Sequence, residues 1–194
     1  MGDLNIENNS NKGNLIIISA PSGAGKTTLC NAVREKFPDI MYSISYTTRS
    51  PRAGEQNEVD YFFVTKEEFK EGIKKSIWAE WAEVHGNYYG TSAEFINSSI
   101  ASGNDILLDI DVQGAIRILE NYPESLTFFI MPPSIDILKE RLESRGSESK
   151  EDLKRRLKNA EEEISKKDLY RHIIINDELT AAIDELVSII GKYR

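Results

Sequence analysis

The chain has 194 residues, with 24 Lys and Arg against 32 Asp and Glu and a formal net charge of -8. That length suits one domain, or one domain with an insertion, able to bury roughly 70% of its unfolded surface. The acidic balance disfavours nonspecific attraction to nucleic acid or anionic membrane, so any phosphate binding must be local, and the single cysteine, Cys30, excludes an intrachain disulfide and a multi-cysteine zinc site.

Residues 1–14 are rich in Asn, Asp, Glu, Gly and Ser and carry neither a basic start nor an apolar run. They read as a flexible tail, and with no stretch long enough to span a bilayer the expected compartment is the cytoplasm. Leu15 to Ser19 then reads as a buried strand, followed by Ala20-Pro21-Ser22-Gly23-Ala24-Gly25-Lys26-Thr27-Thr28 and a helix from Thr27 to Phe37. This is a phosphate cradle of the G-x-x-x-x-G-K-[ST] kind, with Ala20 at the first glycine position. Gly23 and Gly25 let the backbone turn its N–H groups inward, Lys26 can reach β- and γ-phosphates, and the Thr27 hydroxyl can ligate Mg²⁺. A methyl at Ala20 excludes a left-handed backbone there but permits ordinary angles.

From 38 to 103 the pattern changes to short strands, Tyr42 to Tyr46, Tyr61 to Val64 and Ile77 to Val84, joined by loops rich in Arg, Gly and Asn. A small mixed or antiparallel sheet inserted into the main fold is expected, its aromatic density suiting a planar ligand, although packing alone accounts for Trp78 and Trp81. Within it Arg49 and Arg52, three apart, are permanent cations whose guanidinium forks match phosphate oxygens. Ile106 to Ile110 is the next strand, with Asp109 and Asp111 at i, i+2 spacing on one side of its end. A carboxylate there can serve a metal or pair with Lys26 or an arginine.

Val112 to Asn121 reads as a helix, Leu126 to Met131 as a strand and Ile135 to Arg145 as a helix. The charged stretch 144–167 reads as a mobile helical hairpin. His172 to Ile175 is the last strand, and a stripe through Leu179, Ala182, Ile183, Leu186, Val187 and Ile190 makes the last helix. The fold class is therefore α/β, a doubly wound parallel sheet with ligands at the carboxyl ends of its strands. His85 and His172 have no partners at metal-ligand spacing and are given no chemistry.

Taken together, the cradle, Thr47-Thr48-Arg49-Ser50-Pro51-Arg52-Ala53-Gly54-Glu55, Asp60-Tyr61, Glu80-Trp81-Ala82, Gly86-Asn87-Tyr88-Tyr89-Gly90-Thr91, Leu108-Asp109-Ile110-Asp111-Val112-Gln113-Gly114 and Pro132-Pro133-Ser134 resemble the guanylate kinase family in order and type from about Asn14 to the C-terminus. The resemblance implies a core of 15–37, 104–143 and 168–194, a GMP-binding insertion of 38–103 and a helical lid of 144–167. It implies ATP and GMP as substrates, dGMP as a secondary acceptor, Mg²⁺ with the ATP, no nucleic-acid or membrane partner, and no particular oligomeric state.

By the same resemblance, residues 20–28 with Asn176 and Asp177 would bind ATP. Arg49, Arg52, Tyr61 and Tyr89 would hold the GMP phosphate, and Ser45, Glu80, Thr91 and Asp111, with Gly90 in the same segment, would complete the GMP site. A carboxylate such as Glu80 can accept from both guanine N–H donors, a pair that adenine lacks. Arg141, Arg145 and Arg156 match the lid arginines, and Thr27 with Asp109 the metal side, although sequence does not separate the duties of Asp109 and Asp111. Asp177 is equally well read as a helix N-cap.

Two alternatives stay open at this point. One is a guanylate-kinase-like module that binds phosphorylated peptides, against which the intact Gly23, Gly25, Lys26 and Thr27 argue. The other is a kinase for a different nucleotide.

Overall fold

The computed structural model describes residues 12–84, 86–144 and 150–194. In chain order its strands are β1 (Leu15–Ser19), β2 (Met41–Tyr42), β3 (Tyr46–Thr47), β4 (Phe62–Phe63), β5 (Trp78–Val84), β6 (Asn87–Ser92), β7 (Ile106–Asp109), β8 (Leu126–Met131) and β9 (His172–Ile175). The helices are α1 (Lys26–Lys36), α2 (Lys66–Lys74), α3 (Ala93–Ala101), α4 (Val112–Asn121), α5 (Ile135–Glu143), α6 (Lys150–Ile164) and α7 (Leu179–Gly191).

β1 is central in an all-parallel sheet of order β2-β7-β1-β8-β9. Every one of its residues is buried, as a strand covered on both faces requires. Its side chains divide by parity. Ile16 and Ile18 join Leu29 and Val33 of α1 and Leu186 and Ile190 of α7. Leu15 and Ile17 join Ile96 of α3 and Val112, Ala115 and Ile118 of α4 on the other face. Helices on both faces of a parallel sheet are the doubly wound arrangement the sequence implied.

The second sheet is small and mixed, of order β4-β3-β6-β5, with β3 parallel to β4 and antiparallel to β6. The expected strand from Tyr42 to Tyr46 divides between the two sheets. Met41 and Tyr42 lie beside Ile106 and Leu107 of the core, and only after Ser43 does the chain cross to the small sheet. Two helices that the strand-like composition concealed, α2 and α3, also belong to this stretch. α2 carries a complete Thr65–Glu68 capping box, and Ser92 caps α3. Most of the aromatic residues form the subdomain's own core: Phe69 stacks on Trp78 at 4.4 Å and on Tyr88 at 5.3 Å, and Tyr46 on Phe62 at 4.6 Å.

Gly13 and Asn14 are tied to the fold and do not continue the tail. The Gly13 N–H donates to the Ile100 carbonyl, and the Asn14 N–H donates to Asp105 Oδ1 at 2.7 Å. The tail residues 1–11 lie outside the described residues. The charged stretch 144–167, expected as a helical hairpin, holds a single long helix among its described residues, α6, which packs on α5 through Leu138, Leu142, Leu153, Leu157 and Ala160.

Candidate active site

The turn between β1 and α1 encloses a hollow of about 320 Å³ lined by residues 20–23, 25–28, Asp111 and Glu163. Gly23 and Gly25 have φ of 97° and 93°, the left-handed region where a side chain would be strained, whereas Ala20 needs no such angle. Space demands the same glycines. A Cβ on Gly23 would lie 2.8 Å from Leu142 Cδ2, and one on Gly25 2.4 Å from Asn176 Nδ2. The turn faces the N-terminus of α1, where unpaired N–H groups and the helix dipole favour an anion. Lys26 Nζ is 2.5 Å from Asp109 Oδ1 and donates to the Ile110 carbonyl at 3.1 Å. Thr27 and Thr28 are exposed on the rim.

A second cavity of about 270 Å³ lies between the two sheets, lined by Lys26, Ser45, Tyr61, Glu80, Ala82, Val84, Tyr89, Asp109, Ile110, Asp111 and Gly114. It shares Lys26 and Asp111 with the cradle, so the two hollows meet at those side chains. Glu80 on β5 stands opposite Thr91 on β6, and the buried Thr91 hydroxyl donates to Glu80 Oε1 at 2.8 Å. Burial pushes the Glu80 carboxyl above its ordinary value, with Asp111 adding to the rise and Thr91 and Arg117 opposing it. Asp111 caps α4, its Oδ1 accepting from the Gly114 N–H at 2.7 Å. A Cβ on Gly114 would come within 3.3 Å of both Asp111 Oδ1 and Glu80 Oε2, so this glycine keeps the two carboxylates accessible to one ligand.

Arg49 does not line this cavity and stands behind Tyr61, which does. Its guanidinium forms a two-pronged bond to Glu55, at 2.7 and 2.9 Å, and sits 5.1 Å from the centre of the Tyr61 ring. Tyr61 and Tyr89 meet edge to face at 6.1 Å. Glu55 Oε2 also accepts from the Arg52 main-chain N–H at 2.7 Å, and Arg49 holds the Glu55 carboxyl down at about 2. The Arg52 side chain is exposed. Glu55 was within reach of the sequence, six residues from Arg49, but a carboxylate near two arginines does not advertise itself as a partner until the loop is folded.

Several expected site residues have partners within the chain itself. Asn176 is buried and its side-chain amide donates to the Ala24 carbonyl at 2.8 Å, which makes it a brace for the cradle. Asp177 is not the N-cap of α7. That cap is Glu178, which accepts from the Thr180 and Ala181 N–H groups, leaving Asp177 exposed one residue earlier. Gly90 is buried away from the cavity, where a Cβ would lie 2.8 Å from Phe69 Cζ, so its service is to packing. Arg141 donates to the Asn176 carbonyl at 2.9 Å, and Arg156 donates to Ser22 Oγ at 2.5 Å. Arg145 and His85 lie outside the described residues. His172 packs on Phe128 and Tyr193.

The guanylate kinase family profile matches residues 12–193. Curated relatives include a guanylate kinase of Caldanaerobacter subterraneus subsp. tengcongensis, 46% identical over 92% of this chain and 87% of the relative. Another is a guanylate kinase of Geobacter metallireducens, 47% identical over 94% of this chain and 90% of the relative. Among solved structures, the crystal structure of guanylate kinase from Anaplasma phagocytophilum superposes with a TM-score of 0.73 at 33% identity, covering 94% of this chain and 87% of that one.

Proposed function

The chain belongs to the guanylate kinase family, and on that footing we propose that its cradle and its second cavity seat ATP and GMP end to end. The reaction is transfer of the γ-phosphoryl group of ATP to GMP, giving ADP and GDP. The observation that supports this seating is the shared wall: Lys26 and Asp111 line both hollows, so a phosphate in one would face a phosphate in the other.

Catalysis in this reading is by positioning, without a covalent enzyme intermediate. The main-chain N–H groups of Gly23, Gly25, Lys26 and Thr27, with that of Ser22, hold the donor phosphates, and Lys26 leaves Asp109 to bridge them. Arg49, Arg52, Tyr61 and Tyr89 orient the acceptor phosphate. Glu80 accepts from the guanine N–H groups, with Ser45, Thr91 and Asp111 around the same edge. An adenine brought there would leave the buried Glu80 Oε2 acceptor unpaired, a penalty that can reach on the order of 10⁴ in selectivity. On the family resemblance, dGMP is the expected secondary acceptor.

The residues fit Mg²⁺, since Thr27 and Asp109 offer the oxygen donors a hard cation takes, and one or two protein oxygens beside substrate phosphates are its usual holding. Bound with ATP, it would neutralise charge on the β and γ oxygens. Segment 144–167 would act as the lid, with Arg141 and Arg156 meeting the charge that develops in transfer and α6 excluding water. Segment 38–103 would carry the acceptor, and the cytoplasm, where nucleotides and a reduced Cys30 coexist, is the proposed workplace. No described helix is long and apolar enough to cross a membrane.

The test is a panel of GMP, AMP, CMP and UMP at equal concentration with MgATP, reading ADP and the diphosphate product together. GMP should exceed the others by at least 10²-fold in kcat/KM. Comparable turnover of any second base would overturn the assignment of Glu80 and its neighbours.

A further inference from the structure

Helix α6 presents Arg156, Ala160 and Glu163 at i, i+4 and i+7, on one face. That face is docked on the cradle. Ala160 is buried with Leu138 and Leu142, the two side chains that a Cβ on Gly23 would strike. Arg156 donates to Ser22 Oγ, and Glu163, one turn beyond Ala160, lines the cradle with Ser22, Lys26 and Thr27. The mechanism above gives Glu163 no task. Yet a carboxylate standing in a hollow of main-chain N–H groups and a lysine is a chemical mimic of the phosphate that such a hollow holds.

We infer that Glu163 is the internal anion of the donor cradle: without nucleotide its carboxylate occupies the Ser22 side of the hollow and pins α6 to the loop, and a donor polyphosphate must displace it. The inference deepens the proposed function and rests on its assignment of the cradle to the donor. The groups around Glu163 agree with it. Burial and Asp111 push its carboxyl above the ordinary value, while Lys26 and the Ser22 N–H, both groups assigned to the donor phosphates, pull it back. A carboxylate and a polyphosphate cannot share so small and partly desolvated a space without strong repulsion. Because Glu163 and Arg156 ride on one helix face, withdrawal of the first lets the second exchange Ser22 Oγ for a phosphate oxygen. Glu163 is thus a positioning residue that couples donor entry to the placement of α6.

The experiment is calorimetric titration of the full chain with pyrophosphate and then ADP, without acceptor. Glu163→Gln removes the charge at constant shape. Glu163→Asp keeps the charge, and Glu162→Gln makes the same change in net charge at an exposed carboxylate beside Lys158. Loss of one charge-assisted contact from the competing anion should tighten pyrophosphate binding about tenfold in Glu163→Gln. Glu162→Gln should stay within about twofold of the parent, and Glu163→Asp within about threefold. In steady-state assays KM for ATP should fall in step while KM for GMP holds. Should the Gln variant fail to fold, Glu163→Ala should show the same gain. Equal or weaker pyrophosphate binding by the uncharged variant, or an equal gain in Glu163→Asp, would overturn the inference and leave the proposed function standing. Failure of the parent to bind either probe would overturn both.

Discussion

Glu80 offers the sharpest separation of substrate reading from folding. In the parent, Oε1 accepts from the Thr91 hydroxyl at 2.8 Å, and Oε2 lies toward Gly114 and the start of α4. Glu80→Gln preserves volume but gives one of these positions an NH₂ group. If the amide nitrogen faces the guanine, two donors oppose each other. If it faces Thr91, that hydroxyl turns to accept and the guanine keeps one neutral bond where it had a charge-assisted pair. Either way about 2–4 kcal/mol of acceptor binding is lost, roughly 30- to 1000-fold in KM for GMP, with KM for ATP changed by less than about threefold.

Stability should move the other way. Burial raises the Glu80 carboxyl above 4.5 in the folded chain, so keeping it ionised costs stability at neutral pH. That cost is relieved as pH falls through the raised value and is gone below about 4.5. Glutamine never bears it. The ligand-free variant should therefore melt above the parent at pH 7–8, with the gap closing toward pH 4.5. Over the same interval the parent's KM for GMP should rise on acidification while the variant's stays flat. A coupled ADP assay and thermal melts across pH check both halves. A variant that melts lower at pH 7.5 and keeps parental KM for GMP would refute the placement of Glu80 as a buried guanine acceptor.

Lys26→Met removes the cation shared by both hollows, so kcat should fall by at least about 10³ while GMP affinity by calorimetry changes less than about threefold; residual kcat above about a tenth of the parent's would refute its role. Asn176→Ala deletes the amide that braces Ala24 but leaves the main-chain acceptor of Arg141, so KM for ATP should rise about tenfold with KM for GMP unchanged, and an equal rise in both would show the brace to be nonlocal. Gly90→Ala forces a methyl against Phe69 and should cost about 1–3 kcal/mol, or several degrees of Tm, with pyrophosphate affinity unaltered; a Tm within about a degree of the parent's would refute that packing account.

The legible parts of the fold were those whose signal is local. β1, β8 and β9 are predominantly apolar, each with one polar residue (Ser19, Thr127 and His172), and their bounds match the sequence reading residue for residue. The small sheet was less legible because β3 and β4 are only two residues each and its aromatic residues serve two ends. The same density that suggests a planar ligand is consumed largely by Phe69, Trp78 and Tyr88 stacking on each other. α2 had a signal in the spacing Thr65-x-x-Glu68, which the surrounding aromatic pattern outweighed. At the site, residues defined by what they contact in the chain's own neighbourhood, such as Lys26 after two glycines, could be read directly. Residues that act by bracing across long sequence separations could not. Asn176 reaches Ala24 across 152 positions, and no local pattern marks that pairing.

The cations of the site are not waiting bare for their substrates. Lys26 is held by Asp109, Arg49 by both oxygens of Glu55, and Glu163 stands in the cradle with the Ser22 N–H as a partner. Partly buried charges require such partners, since a desolvated cation without one destabilises the fold by several kcal/mol. In the proposed function a substrate phosphate reaching Lys26 or Arg49 therefore arrives by exchange, taking a carboxylate's place, and only the difference between the two partnerships contributes to binding. With phosphate contacts so offset, phosphate affinity alone discriminates poorly among nucleotides. Selectivity must then reside at the one wall where a ligand supplies bonds that the protein does not already make for itself. That wall is Glu80 Oε2 beside Gly114, where the hydrogen of the glycine leaves open the space that guanine's two donors would enter.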